Sequence, residues 1–217
     1  MNNLLSTHRR LASVTTLLPP SATSEGSRSV ILIEALRLFA EHGYGGSSIR
    51  DIAKLVGIKA ATVYSHYPSK AHVLAELIRI GHAEHHRRMR AAVLEAGSNP
   101  TQQLVALVRA HVLAHAEYPM LAVVSNAELH ALPEEFASPI LVVRHQSEML
   151  LHDVIERGVK LGVFDVPDMQ LVLPAIGAMG LRVAHWYTPE IGKTPVQVAD
   201  VFAELACRVV GVMSKAF

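Results

Sequence analysis

Residues 48–70 read Ser-Ile-Arg-Asp-Ile-Ala-Lys-Leu-Val-Gly-Ile-Lys-Ala-Ala-Thr-Val-Tyr-Ser-His-Tyr-Pro-Ser-Lys, and no other run restricts the fold as strongly. Ser48 is a good helix N-cap, and Asp51 puts a negative charge in the first turn, where exposed amides favour it. Ile49, Ile52, Ala53 and Val56 recur at helical spacing and define one apolar face. Gly57 stands where a helix C-terminus favours a left-handed residue, which glycine adopts without steric cost. Ile58 is an anchor after the turn, and Lys59 to Tyr67 reads as a second short helix with Val63 inward. Pro68 ends it by biasing Tyr67 away from helical geometry, and Ser69 caps the next helix. Two short helices around a glycine, the second presenting small and hydroxyl side chains, form a helix-turn-helix, the shape that places a helix end in the DNA major groove. An ordinary helical pair shares each feature singly; the joint pattern favours DNA.

Upstream, Ile31 to Tyr44 reads Ile-Leu-Ile-Glu-Ala-Leu-Arg-Leu-Phe-Ala-Glu-His-Gly-Tyr. From there to Lys70 the chain closely resembles the TetR family of bacterial repressors. Leu32, Ala35, Leu36 and Phe39 match the inner face of that family's first helix, and Gly43 and Tyr44 its exit. Ile33 departs from it, standing where the family usually has a polar residue. Beyond residue 97 the resemblance is loose. It implies an all-α fold of about nine helices: an N-terminal three-helix helix-turn-helix DNA-binding domain, then a helical ligand-binding and dimerisation domain. The expected divisions are a disordered arm over 1–26, the DNA-binding domain over 27–73 and the distal domain over 74–217. The expected activity is ligand-responsive repression by a homodimer, with double-stranded operator DNA and a small-molecule effector as partners and no cofactor.

Charge is divided along the chain. Residues 1–90 carry 12 Lys+Arg against 6 Asp+Glu, whereas residues 91–217 carry 8 against 13. The basic part contains the helix-turn-helix, as attraction to phosphates requires, and the acidic part should face away from DNA. A single cysteine, Cys207, excludes an internal disulfide and fits a reducing cytoplasm; its neighbours Leu205 and Val209 suggest a buried structural thiol. His8-Arg9-Arg10 followed by Leu11 to Leu18 has the outline of a secretory signal. The apolar run is short, interrupted by Ser13, Thr15 and Thr16, and followed by Pro19-Pro20. A free arm offering Arg9 and Arg10 to phosphates or the minor groove is favoured. Leu171 to Trp186 is apolar but is broken by Pro174, Gly177, Gly180 and Arg182, and is shorter than the roughly 20 residues needed to span a bilayer.

No sustained two-residue alternation is present, so no sheet is expected. One long helix is predicted from Ser69 to about Ala96, then one capped by Thr101 that ends near Tyr118-Pro119, and a shorter one over Met120 to His130. Another should run from about Ser138 to Lys160 with Pro139 in its first turn. Pro167-Asp168 opens the penultimate helix, to about Tyr187, with Pro174 expected to kink it, and Thr194-Pro195 opens the last, through Ser214.

DNA contacts are expected from both helices of the motif. Ala60, Ala61 and Thr62 begin the second helix, where small residues admit base edges and thymine methyl groups. Tyr64 and His66 should reach phosphates, which position without encoding sequence. Lys59 and Lys70 add flanking charge, Ser48 and the amides near Ser69 offer helix N-termini to phosphates, and Arg50 can approach the groove. Tyr67 reads as a core ring. Two copies reading successive major-groove faces about 34–36 Å apart, or a multiple of it, imply a palindromic operator.

In the TetR family the last two helices pair with their two-fold mates. On that basis Val172, Ile176, Met179 and Val183, with Val201, Leu205, Val209 and Val212, are the expected dimerisation residues; internal packing is the alternative. Leu129 to Pro133, Val154 to Phe164 and His185-Trp186-Tyr187 are similar to a branch that senses acyl-CoA thioesters, including steroid-derived ones. That resemblance makes Arg182 and Trp186, one turn apart, candidates to grip a CoA moiety, with His115 and His145 as further ligand-binding candidates. The distal half is rich in Leu, Val, Ala and Met and poor in aromatics, which suits an aliphatic or alicyclic effector. Thirteen histidines supply a rival reading as a metal sensor: His82, His85 and His86 share a face, His111 and His115 stand one turn apart, and His145 and His152 two turns apart. HxxxH spacing alone is weak, and no metal site is assigned. A thioester-hydrolysing enzyme is the rival from another class, with Ser125, His130 and Asp153 as a nominal triad. No nucleophile elbow surrounds Ser125, and neither a phosphate loop nor HExxH occurs.

Overall fold

Side-chain caps set several helix starts where the sequence places them. The computed structural model describes residues 11, 14, 16–22 and 26–212. Among the described residues there are nine α-helices and no strand. These are α1 (Ser27–His42), α2 (Ile49–Val56), α3 (Ala60–His66), α4 (Lys70–Glu95), α5 (Pro100–Glu117), α6 (Pro119–Ala127), α7 (Glu134–Lys160), α8 (Met169–Trp186) and α9 (Pro195–Val209). The Ser48 hydroxyl accepts from the Asp51 amide while the Asp51 carboxylate accepts the Ser48 amide at 2.9 Å, a reciprocal capping box. Thr194 and Gln197 repeat it at α9, and Asp168 caps α8 by accepting from the Gln170 amide at 2.8 Å.

Helix α6 ends at Ala127 rather than His130, with a separate 3-10 turn over Leu129–Ala131, and three other boundaries differ from expectation. Asn99, not Thr101, caps α5: its side-chain oxygen accepts from the Thr101 and Gln102 amides, and Thr101 is buried. Helix α7 begins at Glu134, so Pro139 lies inside it rather than in its first turn. Helix α9 stops at Val209, short of Ser214. Gly211 comes next but one with φ 60°, and a Cβ there would sit 2.7 Å from the Asp165 carbonyl, while the Asp165 amide donates to the Val210 carbonyl. That close approach ends the helix.

The chain divides into two compact units, one formed by residues 1–84, 118–142 and 184–186, the other by 85–117, 143–183 and 187–217. In the first, Ile31, Ala35, Leu36 and Phe39 of α1, Ile52 and Ala53 of α2, Val63 of α3 and Val73, Leu74 and Leu77 of α4 share a core with Met120, Leu121 and Val124 of α6. Leu11 and Leu18 are buried in the same core, and Thr16 donates to the Met120 sulfur at 3.2 Å. The described part of the expected free arm is therefore anchored by apolar burial; Arg9 and Arg10 lie outside the described residues. In the second unit α5 packs along α9, and Arg109 meets Asp200 at 3.2 Å. Its buried residues include Leu104, Leu107, Val112, Ile155, Val172, Ile176, Val183 and Ala206. No described helix is long and apolar enough to cross a membrane.

Candidate nucleic-acid interface and effector region

Helix α3 is held by one fully buried side chain, Val63, and by the turn before it. Gly57 takes φ 77° and ψ 28°, and its amide and that of Ile58 return to the carbonyls at the end of α2. This fixes where α3 starts. Around buried Val63, the residues Lys59, Ala61, Thr62, Tyr64 and Ser65 are all exposed. Tyr64 is 52% exposed, large for an aromatic ring, and it and Thr62 flank buried Val63 on its two sides. Ala60 and His66 are half-buried at the flanks of that surface, and Arg50 is exposed in the first turn of α2. Tyr67 is core, as expected, with the Arg28 guanidinium 4.6 Å above its ring.

Two expected contacts are already engaged inside the protein. The Lys70 ammonium donates to the Tyr44 and Ser47 carbonyls at 2.7 and 2.8 Å and lies 3.9 Å from the centroid of the Tyr44 ring. Its charge ties the start of α4 to the α1–α2 connection. Glu128 fastens the same connection from the end of α6 by accepting the Tyr44 amide at 3.0 Å. The Ser48 amide and hydroxyl are committed to Asp51, whose carboxyl lies below its usual range chiefly because of the Ser48 hydrogen bond. Neither the lysine clip nor the glutamate clip carries a local sequence signal, because their partners are 26, 23 and 84 residues apart.

The distal candidates separate. Val172, Ile176 and Val183 point into the second unit and are buried, Val183 completely, so a partner subunit cannot reach them. They are corrected to core positions. The outward stripe of α8 is instead Leu171, Ala175, Ala178 and Arg182, with Met179 half-buried. On α9, Val201, Leu205 and Val209 are exposed, and Val212 beyond it is half-buried. Arg182 is exposed, Trp186 half-buried and His145 exposed with its Nδ1 3.9 Å from Glu148. His115 is buried and hydrogen-bonds the His111 carbonyl.

Of the histidines drawn on one face of α4, only His85 joins the α5 pair. One ring nitrogen of each of His85, His111 and His115 lies within 4.8 Å of the others. His86 hydrogen-bonds Ser147 at 3.1 Å, and His82 is buried in the first unit. Burial holds the His111 imidazole below its usual pKa, so it is neutral. Cys207 is a buried free thiol pushed up by burial, which suits a structural role. Ser125 is buried with no hydrogen-bond partner for its hydroxyl among the described residues, while His130 bonds the Ala127 carbonyl and Asp153 faces His152. The nominal triad is not assembled.

A helix-turn-helix with an exposed polar reading face, followed by a separate helical unit, defines a DNA-binding regulator. The chain belongs to the TetR family: residues 31–77 match the model of bacterial regulatory proteins of the tetR family, and residues 97–210 match the Tetracyclin repressor-like C-terminal domain. It is 27% identical over 194 residues to the HTH-type transcriptional repressor KstR2 of Rhodococcus jostii (strain RHA1), covering 86% of this chain and 94% of that one. A solved tetR-family regulatory protein from Rhodococcus RHA1 superposes with TM-score 0.81 at 29% identity, over 88% of this chain and 100% of the other. The same fold is seen in AibR in complex with isovaleryl coenzyme A and operator DNA, with TM-score 0.72, 21% identity and coverages of 86% and 99%. These relatives are transcriptional regulators, and the chain is one of them rather than an enzyme.

Proposed function

We propose that this chain is a repressor that binds a palindromic operator as a homodimer in the cytoplasm and is released by an acyl-CoA. The observation that carries the DNA-reading part is the exposed set Lys59, Ala61, Thr62 and Tyr64 around fully buried Val63. Ala60 to Thr62 admit base edges, Thr62 and Arg50 supply base-reading donors, and Lys59, Tyr64 and His66 grip phosphates. One such unit meets few phosphates, so two copies are needed for useful affinity. The apolar part of the outward α8 stripe, Leu171, Ala175 and Ala178, with the exposed valines and leucine of α9, is the surface that joins them.

Support for the effector comes from chemistry and from likeness. The buried side chains of the second unit are mostly aliphatic, which suits an acyl group, and Arg182 can pair with the phosphates of a CoA moiety, with Trp186 one turn along the helix. The fold accommodates isovaleryl coenzyme A in AibR. Release requires that the effector prefer a conformation that cannot bridge both half-sites, a coupling of typically about 1–3 kcal/mol. The domain divisions that suit this reading are an arm over 1–26, a DNA-binding domain over 27–73 and an effector and dimerisation domain over 74–217.

Selecting bound duplexes from a random pool, then challenging the complex with a panel of acyl-CoAs, tests both halves. The expected result is a pair of inverted half-sites and dissociation by at least one thioester. Equal retention of all duplexes at moderate salt overturns the operator, and a complex inert to every thioester overturns the effector.

A further inference from the structure

Three imidazoles converge in the second unit, and their hydrogen bonds determine where the lone pairs lie. The Gly177 carbonyl can only accept, so His111 donates to it from Nε2 at 2.9 Å and keeps its lone pair on Nδ1. The His111 carbonyl can only accept, so His115 donates from Nδ1 at 2.7 Å and keeps its lone pair on Nε2. The His85 Nε2 stands 2.7 Å from the His111 Nδ1, with one proton shared between them. The three rings meet edge to face, at centroid separations of 5.0, 5.4 and 4.6 Å.

We infer that His85, His111 and His115 form a binding site for a divalent transition-metal ion of the zinc, cobalt or nickel class. Helix α5 supplies two ligands one turn apart, and α4 supplies the third. The cation takes the place of the proton between His85 and His111, with His85 carrying its own proton on Nδ1 instead, so each imidazole binds neutral. Metal–nitrogen bonds of about 2.0–2.1 Å put tetrahedral ligand nitrogens about 3.3 Å apart. The His85–His111 pair therefore opens slightly, and the widest nitrogen separation, no more than 4.8 Å, closes by at most about 1.5 Å. Imidazole-only ligation disfavours calcium and magnesium, which demand oxygen.

The support around the ligands is what such a site needs. His111 and His115 each give their second nitrogen to a backbone carbonyl, which fixes tautomer and ring plane. Gly180 completes the cradle, because a Cβ there would run into the His111 ring. Three protein ligands leave a fourth position for water or for a donor group on a small molecule.

Titration of the untagged, chelator-stripped full-length chain with Co(II), read by its d–d absorption, and with Zn(II), read by calorimetry, tests the site. One equivalent should bind at micromolar or tighter affinity with tetrahedral cobalt absorption. His85→Gln changes a half-buried ring to a side chain that can still hydrogen-bond, and should weaken binding by well over about 100-fold, above the roughly 10–100-fold that outer-sphere changes reach. His152→Ala should leave binding unchanged. Absence of binding to the native chain, or equal binding by His85→Gln and His115→Gln variants that keep native circular dichroism, overturns the assignment.

Discussion

Lys70 holds Tyr44 twice, donating to its carbonyl at 2.7 Å and lying 3.9 Å over its ring. A lysine at the mouth of a DNA-binding motif invites a phosphate role, yet this one is a fastener for the scaffold. Lys70→Met should cost about 1–3 kcal/mol of stability, since it leaves two carbonyls without their charged donor. It should leave the slope of log K against log salt nearly unchanged. A slope smaller by about 1, with the melting temperature intact, would return Lys70 to the phosphates.

On the proposed reading, Thr62 and Tyr64 divide specificity from affinity. Tyr64→Phe should weaken operator and random duplexes alike, whereas Thr62→Ala should narrow the gap between them by about 1–3 kcal/mol, as one lost base contact does. Competition binding on both duplexes measures this. Equal losses for the two variants would refute the roles.

Asp51 and Ser48 make the cap of α2 dependent on pH. The Asp51 pKa is depressed in the fold, first by the Ser48 side-chain hydrogen bond. Its contribution is therefore present above the ordinary aspartate range and is lost as pH falls through the folded value. Ser48→Ala should move the Asp51 carboxyl titration back upward in NMR and flatten the acid limb of the stability curve. An unchanged Asp51 titration would deny the coupling.

Leu205 and Ile176 separate surface from core. Leu205→Glu should yield monomers by sedimentation while the subunit's secondary structure survives, and should cost operator affinity. Ile176→Ala should instead lose about 2–5 kcal/mol of stability by opening a cavity. Monomers from Ile176→Ala with an unaltered melting point would restore it to the interface.

How much of this was legible depends on the range over which each feature acts. The capping box at Ser48, the left-handed Gly57 and inward Val63 are local, and the sequence displays them within a few residues. Helix α8 was harder, because Leu171, Val172, Ala175, Ile176 and Ala178 are apolar on both sides and spacing alone cannot choose the inward one. Exposure chose the other stripe. The link from Lys70 to Tyr44, and the arrival of His85 beside His111, are products of tertiary packing 26 residues apart in each case. The cap of α5 was ambiguous in kind, since Asn99 and Thr101 are both capping residues and only geometry separates them.

Helix α3 contains seven residues, under two turns, and such a peptide has negligible helicity alone in water. The reading head thus borrows its shape from Phe39, Ile52 and Leu77, which no duplex ever touches. On the proposed function, genetic screens for derepressed mutants will recover these greasy positions alongside Thr62. A set of base-facing side chains, transplanted to another framework, will not carry operator choice with it.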